Sequence, residues 1–166
     1  MSTHVRVFLR MRPLNKQELA LGNCDPEDCW KFDAQGIQER DKVSVSGGVS
    51  FERDTRIYTY DGIYGQDDTN EYVYDSIANE MIEKCLDGFH ATVFAYGQTS
   101  AGKTHTMLGN ADSNPGVIPR AVEQIFECIE EQENASFVLR LQYLEIYNEK
   151  IRDLLALKGP GSGAAA

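Results

Sequence analysis

The sequence predicts an α/β fold in which a central mixed β-sheet is flanked by helices. Short apolar runs typical of strands alternate along the chain with segments whose apolar residues recur at helical spacing. The run at residues 92–96 is almost wholly apolar, as in a strand buried on both faces, and a glycine-rich segment at residues 97–104 follows it at once. The length of 166 residues suits a single domain with a substantial core.

Residues 97–104 match the pattern Gly-x-x-x-x-Gly-Lys-Thr, which predicts a phosphate-binding loop and a fold of the phosphate-loop NTPase type. Gly97 and Gly102 permit close backbone approaches, so that the loop N–H groups form an anion nest. Lys103 would place its charge on the β- and γ-phosphates, and the Thr104 hydroxyl suits Mg²⁺. A glycine-rich turn is the alternative, but the apolar strand before it favours nucleotide binding. The predicted binding residues of the loop are Gly97, Gln98, Thr99, Ser100, Ala101, Gly102, Lys103 and Thr104.

The N-terminal third of the chain predicts edge elements of the sheet. Residues 4–10 alternate apolar and polar side chains and predict the first strand, which Pro13 ends because proline cannot continue a ladder. Residues 15–22 predict one short helical turn. The aromatic and β-branched pieces within residues 29–56 predict small antiparallel hairpins.

Two amphipathic segments predict the main helices. Residues 68–87 carry an apolar stripe, with Asp68 as the expected N-cap and Gly88 as the stop. The second helix is expected to open at Pro119, a residue tolerated in the first turn of a helix.

The C-terminal part predicts one long strand at residues 136–147 and a helical turn at residues 149–155. Residues 156–166 are a low-complexity tail that we expect to be disordered. The domain prediction is therefore residues 1–155 as one folded part and residues 156–166 as a tail.

Composition narrows the class of protein. The hydrophobic fraction of 42% with 25% charged residues is ordinary for a globular protein, and no run is long enough to predict a membrane span. The net charge of −10 disfavours nucleic acid and anionic membranes as partners. No signal-peptide pattern is present, which predicts a cytosolic chain. The cysteines lack zinc-ligand spacing and are expected to be reduced packing residues: Cys24, Cys29, Cys85 and Cys128.

Arg10, Arg12 and Pro13 stand at the end of the first strand. Ligands of α/β sheets bind beyond the carboxyl ends of strands. If the first strand and the strand at residues 92–96 are parallel neighbours, Arg10 and Pro13 lie beside the phosphate loop. The two arginines are otherwise solvated strand ends, but the nearby loop favours a role in binding the base.

Four stretches resemble motifs of the kinesin motor domain in order and spacing. They read VFLRMRPLN at residues 7–15, FAYGQTSAGKTHTM at 94–107, GVIPRA at 116–121 and YLEIYNE at 143–149. The resemblance spans residues 4–155. The third stretch is similar to that of the centromere-associated kinesin group.

The resemblance implies a microtubule-dependent motor ATPase that uses ATP or ADP with Mg²⁺ and acts in the cytoplasm on the microtubule cytoskeleton. By position, Arg10 and Pro13 of the Arg-x-Arg-Pro motif would hold adenine, with Arg12 among the nucleotide-binding residues. His105 would pack near the same base, although a solvated histidine in the first helical turn is the alternative. Thr104 is the implied Mg²⁺ ligand.

The chain lacks two motifs that the resemblance calls for, Asn-x-x-Ser-Ser-Arg-Ser-His and Asp-x-Ala-Gly-Ser-Glu, which are the switches of the family. We therefore expect this chain to be the N-terminal half of a motor domain. Because the missing switches orient the attacking water, we expect the chain to be inactive alone, and we assign no catalytic residue. We also expect that it does not bind microtubules. Oligomerisation elements are not expected within it. A nucleotide-binding or scaffolding kinesin relative without turnover is the alternative; the four stretches nearly exclude an unrelated phosphate-loop kinase or ATPase.

Overall fold

The computed structural model describes residues 5–20, 30–32, 36–39, 57–110, 112–132 and 134–156, with the backbone alone for residues 30–32 and 37–39. The chain divides into two compact units, Met1–Cys128 and Ile129–Ala166. The strand pieces predicted within residues 43–51 and the tail beyond residue 156 lie outside the described residues.

The described strands of the first unit form small sheets instead of one central sheet. In chain order these strands are β1 (Phe8–Arg10), β2 (Trp30–Phe32), β3 (Gly36–Glu39), β4 (Ile57–Thr59), β5 (Gly62–Tyr64), β6 (Gly109–Asn110) and β7 (Asn114–Pro115). β1 pairs in parallel with β5, with Arg10 opposite Tyr64. β2, β3 and β4 form an antiparallel sheet, which confirms hairpins in this region, and β6 pairs with β7.

The α/β class is confirmed, but the strand predicted at residues 92–96 is wrong. Residues 89–97 belong to no strand, and the side chains of Phe94 and Tyr96 are 76% and 96% exposed. A strand requires a neighbour that accepts and donates its ladder hydrogen bonds, and no described segment supplies one here. The parallel pairing with β1, which was the condition for placing the end of the first strand beside the loop, is not formed by the described residues, since β1 pairs with β5.

The described helices that begin in the first unit are short, and the longest ends in the second unit. They are α1 (Lys16–Ala20), α2 (Asn70–Ile77), α3 (Asn79–Leu86), α4 (Lys103–Met107) and α5 (Val117–Glu130). The single helix predicted at residues 68–87 is therefore two helices, α2 and α3, that meet at Ala78. The interruption is local, because the Ala78 N–H still donates to the carbonyl of Tyr74 at 2.8 Å.

Thr69, not Asp68, caps α2. The Thr69 hydroxyl accepts a hydrogen bond from the N–H of Tyr72 at 3.2 Å. The Asp68 carboxylate instead accepts from the N–H of Gly65 at 2.6 Å and closes the turn before the helix. The prediction that Gly88 stops the helical segment is confirmed, since Gly88 has φ +96° and directly follows the C-cap of α3.

The core lies where α2 and α3 meet the start of α5. Tyr74, Ala78 and Val117 are buried there, and Val93, Met107 and Ala121 pack against them. The Tyr74 hydroxyl donates to Gln124 of α5, and burial raises its pKa to about 12. This contact, together with the apolar packing, anchors α5.

α5 begins two residues before Pro119, at the buried Val117. Proline is tolerated there because the N–H groups of the first turn have no intrahelical acceptor. Part of the apolar face of α5 is open, since Val122 and Phe126 are 45% and 51% exposed. Cys85 and Cys128 are free thiols of intermediate exposure, as expected. Among the described residues, no helix has both the length and the apolar character needed to cross a bilayer.

The second unit is built on a hairpin of β8 (Leu144–Tyr147) and β9 (Lys150–Asp153). The long strand predicted at residues 136–147 is therefore wrong in its first part, since only Leu144–Tyr147 is a strand. The helical turn predicted at residues 149–155 is also wrong, because Lys150–Asp153 form the return strand β9. The two loop residues, Asn148 and Glu149, have φ of +48° and +61°. Positive φ at both positions is the type I′ geometry, whose twist matches that of paired strands.

Candidate nucleotide-binding site

The glycine-rich segment forms a tight loop that leads directly into α4. The Ala101 N–H donates to the Gln98 carbonyl at 3.2 Å, which closes a turn inside the loop. Gly102, the last residue before the helix, has φ +93°, a conformation that side chains disfavour. A Cβ at Gly97 would lie 3.1 Å from the Cβ of Ala101. The loop therefore needs small residues at these positions.

Lys103 closes the loop across its mouth. Its ammonium group donates to the carbonyl oxygens of Gly97 and Gln98, at 2.8 and 2.7 Å. These are neutral acceptors, whereas a phosphate oxygen carries negative charge and makes a stronger hydrogen bond with an ammonium group. A bound phosphate would therefore compete well for this lysine, whose flexible side chain can turn from the loop carbonyls to the anion.

The remaining predicted loop residues are accessible to a ligand. The side chains exposed to solvent are those of Gln98, Thr99, Ser100, Thr104 and His105, while Gly97, Ala101, Gly102 and Lys103 are half-buried. In the described part of the chain, His105 takes part in hydrogen bonding through its backbone, and its imidazole is exposed. The structure thus brings the loop residues together and leaves Thr104 exposed to solvent.

Arg10 lies behind α4 in a partly buried polar network. Its guanidinium donates to Asn70 Oδ1 at 2.6 Å, to the Thr106 hydroxyl at 2.9 Å and to the Asp68 carbonyl at 3.0 Å. Burial lowers the pKa of this guanidinium, and the nearby Asp68 opposes the shift. The structure therefore places Arg10 against α4, the helix that follows the loop, and this contact does not run through a strand pairing.

Arg12 lies beside the loop and is held by Glu18. The two side chains form a bidentate ion pair with N–O distances of 2.5 and 2.8 Å, and Arg12 also donates to the Pro13 carbonyl. The hydrogen bond from Arg12, together with that from the Asn15 N–H, holds the pKa of Glu18 at about 2. A Cβ on Gly102 would lie 3.8 Å from the Arg12 side chain, so the two are neighbours.

α1 presents Glu18 to Arg12 because of a capping box. The Asn15 side chain accepts from the N–H of Glu18 at 2.9 Å, and the Glu18 carboxylate accepts from the N–H of Asn15 at 2.8 Å. Pro13, which is exposed, stands between Arg12 and this box along the chain. Sequence reasoning missed the box, although the Asn-x-x-Glu spacing is its signal.

Asn70 is a second residue that sequence reasoning missed. It is 1% exposed, at the first position of α2, and its amide joins Arg10 to the backbone of His105 and of Asn114. An asparagine at a helix start is usually a cap, so nothing in the local pattern marks it as buried. Its role appears only when the strand, the helix and the hairpin are brought together.

The loop after an apolar segment, the helix that starts at its lysine and the α/β architecture define a phosphate-loop protein. The family model "Kinesin motor domain" matches residues 10–163. The chain belongs to the kinesin motor domain family.

Individual relatives agree with this assignment. The chain is 39% identical to kinesin-like protein KIN-7G of Oryza sativa subsp. japonica over 151 residues, which are 91% of this chain and 15% of that protein. It is 41% identical to centromere-associated protein E of Homo sapiens, again over 91% of this chain but 5% of the relative. The expected similarity to the centromere-associated group is confirmed by this match.

A solved structure of a fast kinesin matches the fold with a TM-score of 0.78 at 33% sequence identity. The match covers 92% of this chain and 41% of the solved chain. The chain therefore spans less than half of that solved motor and a small part of the curated relatives.

Proposed function

We propose that this chain is the nucleotide-binding part of a kinesin-like, microtubule-dependent motor, in which ATP hydrolysis drives movement along microtubules. The observation that carries the proposal is the phosphate loop, in which the Lys103 ammonium group donates to the Gly97 carbonyl at 2.8 Å and the next residue, Thr104, is exposed. Phosphoryl transfer relies on positioning and charge stabilisation, and the chain offers the binding half of that task. Such a protein works in the cytoplasm, on the microtubule cytoskeleton.

The residues present fit ATP or ADP. In the proposed complex, the backbone from Gly97 to Gly102 holds the phosphates, Lys103 neutralises their charge, and Arg10, Arg12 and Pro13 lie toward the base, with His105 near it. Arg12 lies beside Gly102, which places one cation of this group next to the loop. Arg12 would have to share its guanidinium between Glu18 and the nucleotide, or leave Glu18 on binding.

Mg²⁺ fits as a companion of the nucleotide and not as a resident ion. Among the described residues, no group of three or more His, Cys, Asp or Glu side chains is placed to hold a metal. Mg²⁺ commonly binds through phosphates and waters with one or two protein oxygens. The Thr104 hydroxyl would supply one such oxygen, and the ion would neutralise phosphate charge.

The chain is expected to bind nucleotide without turning it over. A fluorescent ADP analogue should bind the full 166-residue chain at one site, and unlabelled ATP should displace it. Binding of the analogue should be weaker when EDTA removes Mg²⁺. Steady-state phosphate release should equal that of a Lys103→Ala chain, because neither switch motif is present to orient water. No saturable binding would contradict the proposed function, and release above the Lys103→Ala level would contradict the expected inactivity.

Microtubules are expected to bind the longer protein but not this chain. The chain has 26 Asp and Glu against 16 Lys and Arg, and the outer surface of tubulin is also acidic. Their long-range interaction is therefore repulsive at moderate salt, where the screening length is about 8–10 Å. Co-sedimentation with polymerised tubulin at low salt tests this, with a complete kinesin motor as the positive control. Saturable binding of the chain at micromolar tubulin would place a track-binding surface within it.

A further inference from the structure

Asn70 stands at a crossing of three separate segments. Its Oδ1 accepts from Arg10 of β1 at 2.6 Å, and its Nδ2 donates to the carbonyl of His105 in α4 and to that of Asn114 in β7, both at 3.1 Å. The residue itself is 1% exposed, so these partners replace water almost completely. Losing any of them would leave a buried polar group unpaired.

The partners also determine which way the amide points. An amide has one acceptor oxygen and a nitrogen with two donors. The oxygen faces a guanidinium, which only donates, and the nitrogen faces two carbonyls, which only accept. The reversed amide would place donor against donor and acceptor against acceptor. The network therefore permits one orientation of the Asn70 amide, which ties the three segments to one another.

α4 needs such an external anchor. It has five residues, Lys103–Met107, and no side-chain cap at its start. A helix this short is marginal by itself, so its position depends on tertiary contacts. The His105 carbonyl that Asn70 holds is one residue beyond Thr104 and two beyond Lys103. Arg10 contacts the same helix by donating a hydrogen bond to the Thr106 hydroxyl at 2.9 Å.

We infer that Asn70 is a positioning residue for nucleotide binding, which holds the phosphate-loop helix and the Arg10 guanidinium in one fixed geometry from behind the site. It contacts no phosphate itself and acts through the His105 backbone and through Arg10. This inference rests on the proposed function, because it concerns the same nucleotide site.

The test compares Asn70→Leu with Val73→Ala in the full chain. Leucine has a similar size and removes the amide. Val73 lies on the same helix and is equally buried, at 1% exposed, but makes only apolar contacts, so its truncation lowers stability without touching the network. Affinity for the fluorescent ADP analogue and for tripolyphosphate is measured at a temperature where circular dichroism shows each variant folded.

Asn70→Leu should weaken both ligands at least about tenfold, the size expected when a buried polar network loses a member. Val73→Ala should leave both affinities within about twofold of the parent, even if it lowers the melting temperature as much as Asn70→Leu does. The tripolyphosphate result isolates the phosphate loop, since that ligand has no base. Equal weakening by the two variants would reduce Asn70 to a structural role and overturn the inference.

Thr106→Val supplies a second measurement that remains useful if Asn70→Leu does not fold. It keeps the shape of α4 and removes the hydroxyl that accepts from Arg10. It should weaken the ADP analogue about threefold to tenfold, and less than additively with Asn70→Leu where both fold, because the two residues act through one network. Unchanged affinity in Thr106→Val would overturn the inference. Lys103→Ala distinguishes failure of this inference from failure of the proposed function. If nucleotide binding is unaffected in Lys103→Ala, the nucleotide site itself is refuted.

Discussion

Lys103→Ala is expected to weaken binding of ATP and of ADP to this chain about 100-fold, or about 2.7 kcal/mol. The variant removes a charge-assisted hydrogen bond to phosphate. It also frees the carbonyls of Gly97 and Gln98, which Lys103 holds at 2.8 and 2.7 Å. Titration of a fluorescent ADP analogue measures the loss. In a full-length protein that carries this chain, the same change should abolish ATP turnover.

Lys84→Ala is the matched control. It removes the same unit of charge, so both variants shift the net charge equally, from −10 to −11. Lys84 lies on α3, with its side chain 57% exposed and paired with Glu80, an interaction that contributes little to stability. The affinity of the Lys84→Ala chain for nucleotide should stay within about twofold of that of the parent. Equal weakening by both variants would mean that general electrostatics, and not the phosphate loop, determines binding.

Gly109→Ala is expected to destabilise the first unit by more than about 3 kcal/mol. Gly109 has φ +64°, and a Cβ there would lie 2.2 Å from the Asn114 carbonyl oxygen and 2.6 Å from the Gly116 nitrogen. Both neighbours are backbone atoms of the short β6–β7 region, so neither can move as a flexible side chain would. The Asn70 amide, 2.9 Å from the same point, would be displaced as well. The urea midpoint measured by circular dichroism reports the loss.

Gly88→Ala separates the steric clash from the backbone conformation. Gly88 has φ +96°, so alanine is disfavoured there too, but nothing lies within 4 Å of the added Cβ. We expect a loss of about 1–2 kcal/mol, the penalty of the left-handed conformation alone. A urea midpoint for Gly109→Ala no lower than that of Gly88→Ala would show that the backbone around Gly109 adjusts to the methyl group.

The tight turn of the glycine-rich loop was predictable because its information is local. The glycines, Lys103 and Thr104 are contiguous, and the turn they form depends on their own backbone angles and on a hydrogen bond within the loop. The same holds for the helix stop at Gly88. Family membership was predictable for a related reason, since four short stretches in fixed order are enough to identify it.

Pairing between distant segments was not predictable from local pattern. The apolar run at residues 92–96 has the composition of a buried strand, yet a strand forms only where another segment completes its ladder, and β1 pairs with β5 instead. The hairpin of β8 and β9 was missed because Glu149, at φ +61°, occupies a turn position usually taken by glycine. In both cases the composition of a segment limits which secondary structures it can adopt, while the segment that pairs with it determines whether a strand forms.

By itself, the sequence determined the α/β class and the kinesin family, and it predicted the residues of the phosphate loop, because each depends on neighbours along the chain. The tertiary structure decided what stands behind that loop: Arg10 reaches α4, Glu18 holds Arg12, and Asn70 links three segments through one buried amide. Arg10 and Asn70 are 60 residues apart, and Asn70 and His105 are 35 apart. Contacts over such separations form only when folding removes water from all the partners at once, so no local pattern records them.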